Sequence, residues 1–113
     1  MDVARHDQLE PFTTKDGSTI REYLHTPVQS LAEATLAPGQ ATERHYHRVS
    51  EEIYLLLEGV GSLEMDGETR EVGPGDAILI PPGAWHELTA GQDGARFLCM
   101  CVPPYSHEDT YFA

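Results

Sequence analysis

The sequence predicts an all-β domain, and three observations support that fold class. Proline and glycine divide the chain into short segments, no long stretch carries a helical period, and Asp66-Gly67 has the composition of a two-residue hairpin turn. With 113 residues, the chain is long enough for one hydrophobic core and too short for two. Evenly spaced strands without crossover helices favour antiparallel pairing in a sandwich or a small barrel.

Segments with the alternation of strands lie between these turns. In chain order they are 20–25, 31–36, 41–47, 52–58, 61–65, 69–72, 77–80, 86–90 and 95–102. Asp66-Gly67 is predicted to connect two of them. A type I′ turn needs positive φ at both central positions, and Asp followed by Gly adopts this conformation readily. The predicted barrel therefore spans 20–102. Residues 1–19 show no pattern and are expected to pack on the barrel or on a partner subunit. Residues 103–113 form a tail that is also expected to pack on the barrel or on a partner subunit.

Charge and apolar patterning exclude two classes of partner. The chain has seven Lys and Arg residues and nineteen Asp and Glu residues, and the resulting net charge of −12 repels nucleic acid and anionic lipid. The longest apolar run, 53–57, is far shorter than the roughly 20 residues of a membrane-spanning helix. The first residues lack the apolar region of a secretory signal, so we expect a cytoplasmic location.

A group of histidines and one acid forms a candidate metal site. His45 and His47 alternate on a predicted strand and therefore point to one face. Glu52 opens an apolar strand, where a desolvated carboxylate needs a partner, and His86 follows the rigid turn Pro81-Pro82-Gly83. Three imidazoles and one carboxylate suit a single divalent Mn, Fe, Co, Ni, Cu or Zn ion. A His-x-His pair by itself is a weak signal, which a chance alternation or a structural pair explains more readily than a metal site.

The spacing of these residues and the surrounding glycines resembles the two motifs of the cupin superfamily. The first motif runs from Gly39 through His45, His47 and Glu52 to Gly59, and the second runs from Gly75 through Pro81-Pro82-Gly83 to His86. One position departs from the family, which usually has Asn where this chain has Ala90. Because that position is not a metal ligand in the family, the departure bears on local polar packing.

The resemblance implies a single-domain double-stranded β-helix, the jelly-roll or cupin barrel. It implies that His45, His47, Glu52 and His86 are the metal ligands, with coordination positions left open for a substrate. The adjacent acid Glu51 is expected on the opposite strand face. The resemblance also implies a homodimer, which agrees with the need of an exposed sheet edge to be covered.

Three side chains are weaker candidates for contact with a substrate. Tyr54 shares a strand face with Glu52, so its phenol is a candidate catalytic group beside the metal; the alternative is a buried aromatic in the barrel wall. Arg21 and His25 share a strand face with Tyr23, and Arg21 is suited to holding a substrate carboxylate, although a surface position is the alternative.

The remaining candidates also have structural alternatives. Cys99 and Cys101 share a face of one strand, where thiols act as small core residues; a second metal or a redox role is the other interpretation. Trp85 is expected to point away from the site. His107 belongs to the tail, which is either solvated or folded over a barrel mouth.

These features predict a metal-dependent enzyme that acts on a small oxygen-rich substrate, such as a keto acid, an enol or a sugar derivative. Within the family, dioxygenase, decarboxylase, isomerase and lyase chemistry all use such a site, and Glu52 is the candidate proton-transfer group. The alternative is a non-catalytic module that binds a small carboxylate or sugar.

Overall fold

The computed structural model describes residues 1–14 and 16–113, and these residues form β-strands and no α-helix. Two single turns of 3₁₀ helix, His6–Gln8 and His107–Asp109, lie near the two ends. The strands are β1 (Phe12–Thr13), β2 (Thr19–His25), β3 (Ser30–Leu36), β4 (His45–His47), β5 (Glu51–Glu58), β6 (Gly61–Met65), β7 (Glu68–Val72), β8 (Ala77–Ile80), β9 (His86–Ala90), β10 (Ala95–Val102) and β11 (Thr110–Phe112).

The strands form two antiparallel sheets that share one core. The six-stranded sheet has the order β1-β2-β3-β10-β5-β8, and the five-stranded sheet has the order β11-β4-β9-β6-β7. Phe97 and Leu56 from the first sheet and Leu88 and Leu63 from the second belong to the same buried cluster. This arrangement confirms the predicted all-β jelly-roll fold. Among the described residues, no helix has the length and apolar character needed to cross a bilayer.

Strand β5 displays the period-two alternation most clearly. Glu52, Tyr54 and Leu56 face the interior with exposures of 5%, 3% and 1%, whereas Glu51 and Ile53 are exposed. Because side chains of a strand alternate between its faces, a shift of one residue would exchange the two sets. The alternation thus directs Glu52 inward and Glu51 outward, as the sequence predicts.

Two parts of the chain differ from the predicted strands. The segment predicted over 41–47 is a strand only at His45–His47, and Ala41 contributes one isolated bridge to Thr89. The unpatterned 1–19 segment contains β1, which pairs with β2, and the tail contains β11, which pairs with β4. Strands of two or three residues carry too little periodicity to be recognised, because their pairing depends on a partner that lies far away in sequence.

Backbone conformation explains why glycine occupies positions 67 and 59. Asp66 and Gly67 have φ of 49° and 91°, which confirms the predicted hairpin turn between β6 and β7. Gly59 ends the first motif with φ of +77°, and a Cβ atom at this position would collide with the carbonyl oxygen of Gly94. Glycine is therefore required at position 59 for both conformation and space.

Candidate metal centre

Four buried side chains from three strands meet at one point between the sheets. His45 and His47 come from β4, Glu52 from β5 and His86 from β9, whose first residue is paired with His45. Each offers one ligand atom, and these atoms all lie within 4.8 Å of one another. The exposures of the four residues are between 0% and 5%. The structure thus brings together all four residues that the sequence predicts as metal ligands.

Backbone carbonyls orient two of the three imidazoles. Nδ1 of His45 donates to the carbonyl oxygen of Glu43 over 2.7 Å, and Nδ1 of His86 donates to that of Ala84 over 2.9 Å. A carbonyl can only accept, so each Nδ1 carries a proton, and in the neutral form of such a ring the lone pair lies on Nε2. Such contacts fix the tautomer and ring orientation that a metal-binding histidine needs.

A hydroxyl from the tail orients the third imidazole. The Thr110 Oγ1 lies 3.3 Å from Nδ1 of His47 and donates its own proton to the carbonyl of Ser106 over 2.9 Å. It therefore accepts from Nδ1–H of the His47 ring, an orientation in which Nε2 faces the other ligands. The tail thus contributes directly to the orientation of His47.

The cluster contains polar atoms that the protein itself leaves unsatisfied. Within the part of the chain that the structure describes, Oε1 of Glu52 and Nε2 of His86 are buried without a hydrogen-bond partner. Oε1 lies 3.3 Å from Nε2 of His47 and 3.6 Å from Nε2 of His86. Lone pairs that face each other in a buried site are costly unless a cation lies among them. The donor set fits a divalent transition metal, which would satisfy these atoms.

The surroundings favour the metal-binding protonation states of Glu52 and His45. Burial alone would raise the pKa of Glu52, but the contacts with His47 and His86 lower it to about 2. Burial and the neighbouring His86 lower the pKa of His45 to about 4. Burial opposes the charged form of His47, yet its contact with Glu52 raises its pKa. At neutral pH the centre therefore presents an ionised carboxylate and a neutral His45.

A cavity of about 50 Å³ reaches this cluster from the six-stranded sheet. Its walls combine apolar side chains with hydroxyl, thiol and carboxylate groups. The lining residues are Phe12, Thr14, Asp16, Ser18, Ile20, Glu22, Ser30, Ala32, Ala34, His45, His47, Glu52, Tyr54, Phe97, Cys99, Cys101 and Tyr105. The volume suits a small ligand, since pockets for drug-sized molecules begin at about 300 Å³.

Tyr54 lines the cavity and is also part of the buried wall. Its exposure is 3%, and its ring centroid lies 4.8 Å from that of Phe97 and 5.9 Å from that of His86. Burial raises the pKa of the phenol well above its ordinary value, so the group remains protonated at neutral pH. Both alternatives drawn from the sequence, a wall residue and a phenol near the ligands, agree with this position.

Arg21 and His25 are not brought to the metal ligands. Nη1 of Arg21 lies 3.7 Å from Oε1 of Glu33, and Nδ1 of His25 lies 3.1 Å from Oε2 of Glu22. Neither side chain lines the cavity. A register shift of β2 between Glu22 and Leu24 changes the alternation of this strand, so the predicted common face is interrupted. Contact of either residue with a substrate stays a prediction.

One cysteine lies directly against a ligand, which the sequence does not reveal. The Cys101 thiol donates to Oε2 of Glu52 over 3.3 Å, while Cys99 lines the cavity two positions earlier on β10. Both are free thiols. Burial raises the pKa of each, so both remain protonated. This agrees with the interpretation of small core residues and adds a contact to Glu52.

The remaining sequence candidates have defined places. Trp85 lies outside the cavity, with its ring 4.6 Å from that of Tyr46 and beneath the guanidinium of Arg44. The tail packs on the barrel, where the Asp109 carboxylate accepts hydrogen bonds from the backbone N–H groups of residues 48–50. His107 itself is exposed. The tail reaches the cavity through Tyr105, which is one of the lining residues.

Sequence reasoning also missed Asp16, whose Oδ2 lies 4.0 Å from Nε2 of His45. The one local signal is the turn dipeptide Asp16-Gly17, with Gly17 at φ of +93°. Such a dipeptide marks a turn and carries no information about which distant side chain it will face.

Comparison with known proteins establishes the family. The Cupin domain model, Cupin_2, matches residues 32–102, and the chain belongs to the cupin family. The chain is 48% identical over 111 residues to the uncharacterized protein MJ1618 of Methanocaldococcus jannaschii, covering 93% of this chain and 89% of that protein.

Two similar proteins have named activities. L-ectoine synthase of Bordetella parapertussis is 34% identical over 86 residues, covering 74% of this chain and 65% of the synthase, so the match spans less than two thirds of that enzyme. The solved structure of the polyketide cyclase RemF from Streptomyces resistomycificus superposes with a TM-score of 0.86 at 25% identity, covering 100% of this chain and 85% of RemF. Several activities thus accompany this fold among similar proteins.

Proposed function

We propose that this protein is a metal-dependent enzyme that acts on a small oxygen-bearing substrate. The observation that carries the proposal is the buried cluster of His45, His47, Glu52 and His86 at the end of a cavity, with two of its donor atoms unsatisfied. Four protein ligands leave positions open on an ion that accepts six, as catalytic sites require. Isomerase, lyase, decarboxylase and dioxygenase reactions are the candidate classes.

A bound divalent ion would supply Lewis acidity that polarises a substrate oxygen. The chain supplies orientation and proton chemistry. The three anchored imidazoles hold their Nε2 atoms in place, and Glu52 is ionised, so its carboxylate is available as a charged ligand. Tyr54 remains a phenol and can donate a hydrogen bond to a substrate oxygen. Phe97 and Ala34 exclude water from the wall of the cavity.

The similar enzymes support catalysis over simple binding. Ectoine synthase and the polyketide cyclase RemF are both named for reactions on small molecules. Transfer of a reaction class to this chain is part of the proposal. The non-catalytic binding module stays the alternative.

Metal content and turnover test the proposal together. The protein is purified without a metal-affinity tag from medium that contains several transition metals, and its metals are measured by elemental analysis. We expect close to one ion per chain in the parent and in Glu51→Gln, and loss of the ion in Glu52→Gln, because only the second carboxylate faces the cluster. Equal loss in both variants would contradict the assignment of Glu52. A loaded protein that turns over none of a panel of keto acids, enols and sugar derivatives would favour the binding module.

We further propose a homodimer formed through the outer face of the six-stranded sheet. Cross-strand pairs place five apolar residues in one row over five strands: Leu24, Leu31, Met100, Ile53 and Leu79. The row extends over about 19 Å at roughly 4.8 Å per strand. Four of its members are exposed by 37% to 53%. Because the row itself is uncharged, a second copy of this acidic chain can approach it without like-charge contact.

Light scattering after size exclusion tests this interface. Ile53→Lys, in the middle of the row, should yield a monomer, whereas Glu71→Lys on the other sheet should leave the dimer intact. A dimer in both variants would place the interface elsewhere.

A cytoplasmic location also remains a proposal. Its support is the pair of free thiols, which reducing compartments preserve. Cell fractionation tests it.

A further inference from the structure

The cavity carries negative charge on its wall. Three carboxylates, those of Asp16, Glu22 and Glu52, line it, and none of its lining residues within 1–14 and 16–113 is lysine or arginine. Carboxylates on an acidic protein are mostly placed in solvent, and inward-facing ones require a partner. Glu52 has its partners in the histidine cluster. Glu22 is paired with His25, whose Nδ1 lies 3.1 Å from its Oε2. Asp16 remains to be explained.

The two oxygens of the Asp16 carboxylate differ: Oδ1 is hydrogen-bonded within the local turn, and Oδ2 is directed toward His45. Its Oδ1 accepts hydrogen bonds from the Thr14 hydroxyl, from the Ser18 hydroxyl over 2.6 Å and from the Ser18 backbone N–H over 3.0 Å. Among the described residues no donor is hydrogen-bonded to Oδ2, which faces His45 Nε2 at 4.0 Å. The turn thus fixes a carboxylate oxygen that is free to accept a ligand group.

A second, independent feature of the same cavity points to a ligand. Oε1 of Glu52, a residue that is only 5% exposed, has no hydrogen-bond partner in the described chain. A small molecule that enters the cavity therefore meets the His and Glu cluster and Oδ2 of Asp16 together. The functional groups of this molecule must therefore suit both the His and Glu cluster and the Asp16 carboxylate.

We propose that the substrate carries a cationic nitrogen that binds Asp16 and an oxygen donor directed to the His and Glu cluster; the second half rests on the proposed function. An ammonium group can donate to Oδ2 and is attracted by both Asp16 and Glu22. A carboxylate in that position would be repelled by the same groups in a poorly solvated site. The substrate class is accordingly a small amine with hydroxyl, carbonyl or carboxyl oxygen at its other end.

Three matched probes test the charge preference without knowledge of the substrate. 2-Aminoethanol, ethylene glycol and glycolate have similar size and differ in charge at one end. Their dissociation constants are measured by NMR titration of the metal-free protein, which excludes chelation of a metal by glycolate, and then of the zinc-loaded protein. We expect metal-free protein to bind 2-aminoethanol about tenfold more tightly than ethylene glycol and to bind glycolate most weakly.

Variants assign the preference to Asp16. Asp16→Asn should abolish the preference of the metal-free protein for 2-aminoethanol over ethylene glycol, and the exposed Asp93→Asn should retain it. Glu22→Gln does not alter the turn at Asp16 and should reduce the preference about twofold, so it provides the test if Asp16→Asn fails to fold. A preference for glycolate in the metal-free parent, or an unchanged preference in the folded Asp16→Asn or in Glu22→Gln, would overturn the proposal.

Metal analysis of the same samples separates this proposal from the proposed function. A parent protein that binds no metal contradicts the metal centre, yet its preference for 2-aminoethanol still reports on Asp16. A loaded protein without that preference contradicts only the cationic substrate.

Discussion

Cys101 donates its thiol proton to Oε2 of Glu52 across directly paired strands. Its pKa is raised by burial and by the Glu52 charge, so it stays a donor at neutral pH. The thiol therefore holds one carboxylate oxygen and leaves Oε1 facing the histidines. Residues that orient a ligand in this way commonly change metal affinity about tenfold or more when removed.

We expect Cys101→Ala to weaken metal binding about tenfold, because Oε2 of Glu52 loses its donor. Cys101→Ser keeps a donor and should recover most of the affinity. Competition with a chromophoric chelator measures the constants. Cys99→Ala serves as control, since it removes a neighbouring thiol that has no hydrogen bond to Glu52. A loss as large in Cys99→Ala would mean that packing, and not the hydrogen bond, is responsible.

The tail should affect metal binding through one hydroxyl. Thr110→Val removes the acceptor of the His47 Nδ1–H while preserving shape, and we expect metal affinity to fall about tenfold. Tyr111→Phe alters the next residue, which stacks outside on Tyr46, and should leave the affinity unchanged. Isothermal titration in a weak competing chelator measures both. Unchanged affinity in Thr110→Val would show that backbone packing alone orients His47.

Glu33 should make stability dependent on acid pH. Its side chain is 1% exposed, and although burial raises its pKa, hydrogen bonds with His6 and Arg96 lower it below the ordinary 4.5. A lowered folded-state pKa stabilises the protein above the unfolded value, and this contribution disappears as pH falls through the folded value. Glu33→Gln should cost about 2 kcal/mol of unfolding free energy at neutral pH. The difference from the parent should shrink below pH 4.5.

Urea unfolding across this pH range checks the prediction. Glu68→Gln removes an exposed partner of Arg70 and should change the free energy little at any pH. A constant difference between Glu33→Gln and the parent down to acid pH would exclude Glu33 ionisation as the cause.

Two motif glycines should differ in their tolerance of alanine. Gly59 and Gly75 both have positive φ, but a Cβ atom meets the Gly94 carbonyl only at position 59. We expect Gly75→Ala to cost about 1 kcal/mol from backbone strain and Gly59→Ala distinctly more, because the collision adds to the strain. Denaturant unfolding compares them. Equal losses of unfolding free energy in the two variants would show that the backbone near Gly94 shifts without an energetic penalty.

The local patterns of the sequence were sufficient for most strands, whereas the candidate ligand set came from the resemblance to the cupin motifs. Strands β6, β8, β9 and β10 have the predicted bounds, since each is long enough for alternation and is closed by turn residues. The choice of Glu52 over Glu51 rests on period two, which places the two acids on opposite faces, and on the spacing of Glu52 from Gly59 in the motif that the chain resembles. His86 was recognised by its spacing after the Pro-Pro-Gly turn, because the resemblance linked it to the distant His45.

Contacts between distant segments were not predictable from those patterns. The Cys101–Glu52 and Thr110–His47 contacts join positions 49 and 63 residues apart, and each depends on strand register. Asp16 faces His45 only because a short turn beside β2 closes against the second sheet. No local periodicity contains such information.

The pairing of β11 with β4 has a consequence for the order in which the protein can assemble. His47 is oriented by a residue made 63 positions later, so a nascent chain that has just completed β4 and β5 holds two histidines and a glutamate without their final support. Final orientation of His47 must await closure of one of the longest loops in the fold, which is slow in comparison with local turns. Metal binding at full affinity would then follow the synthesis of β11 and its pairing with β4.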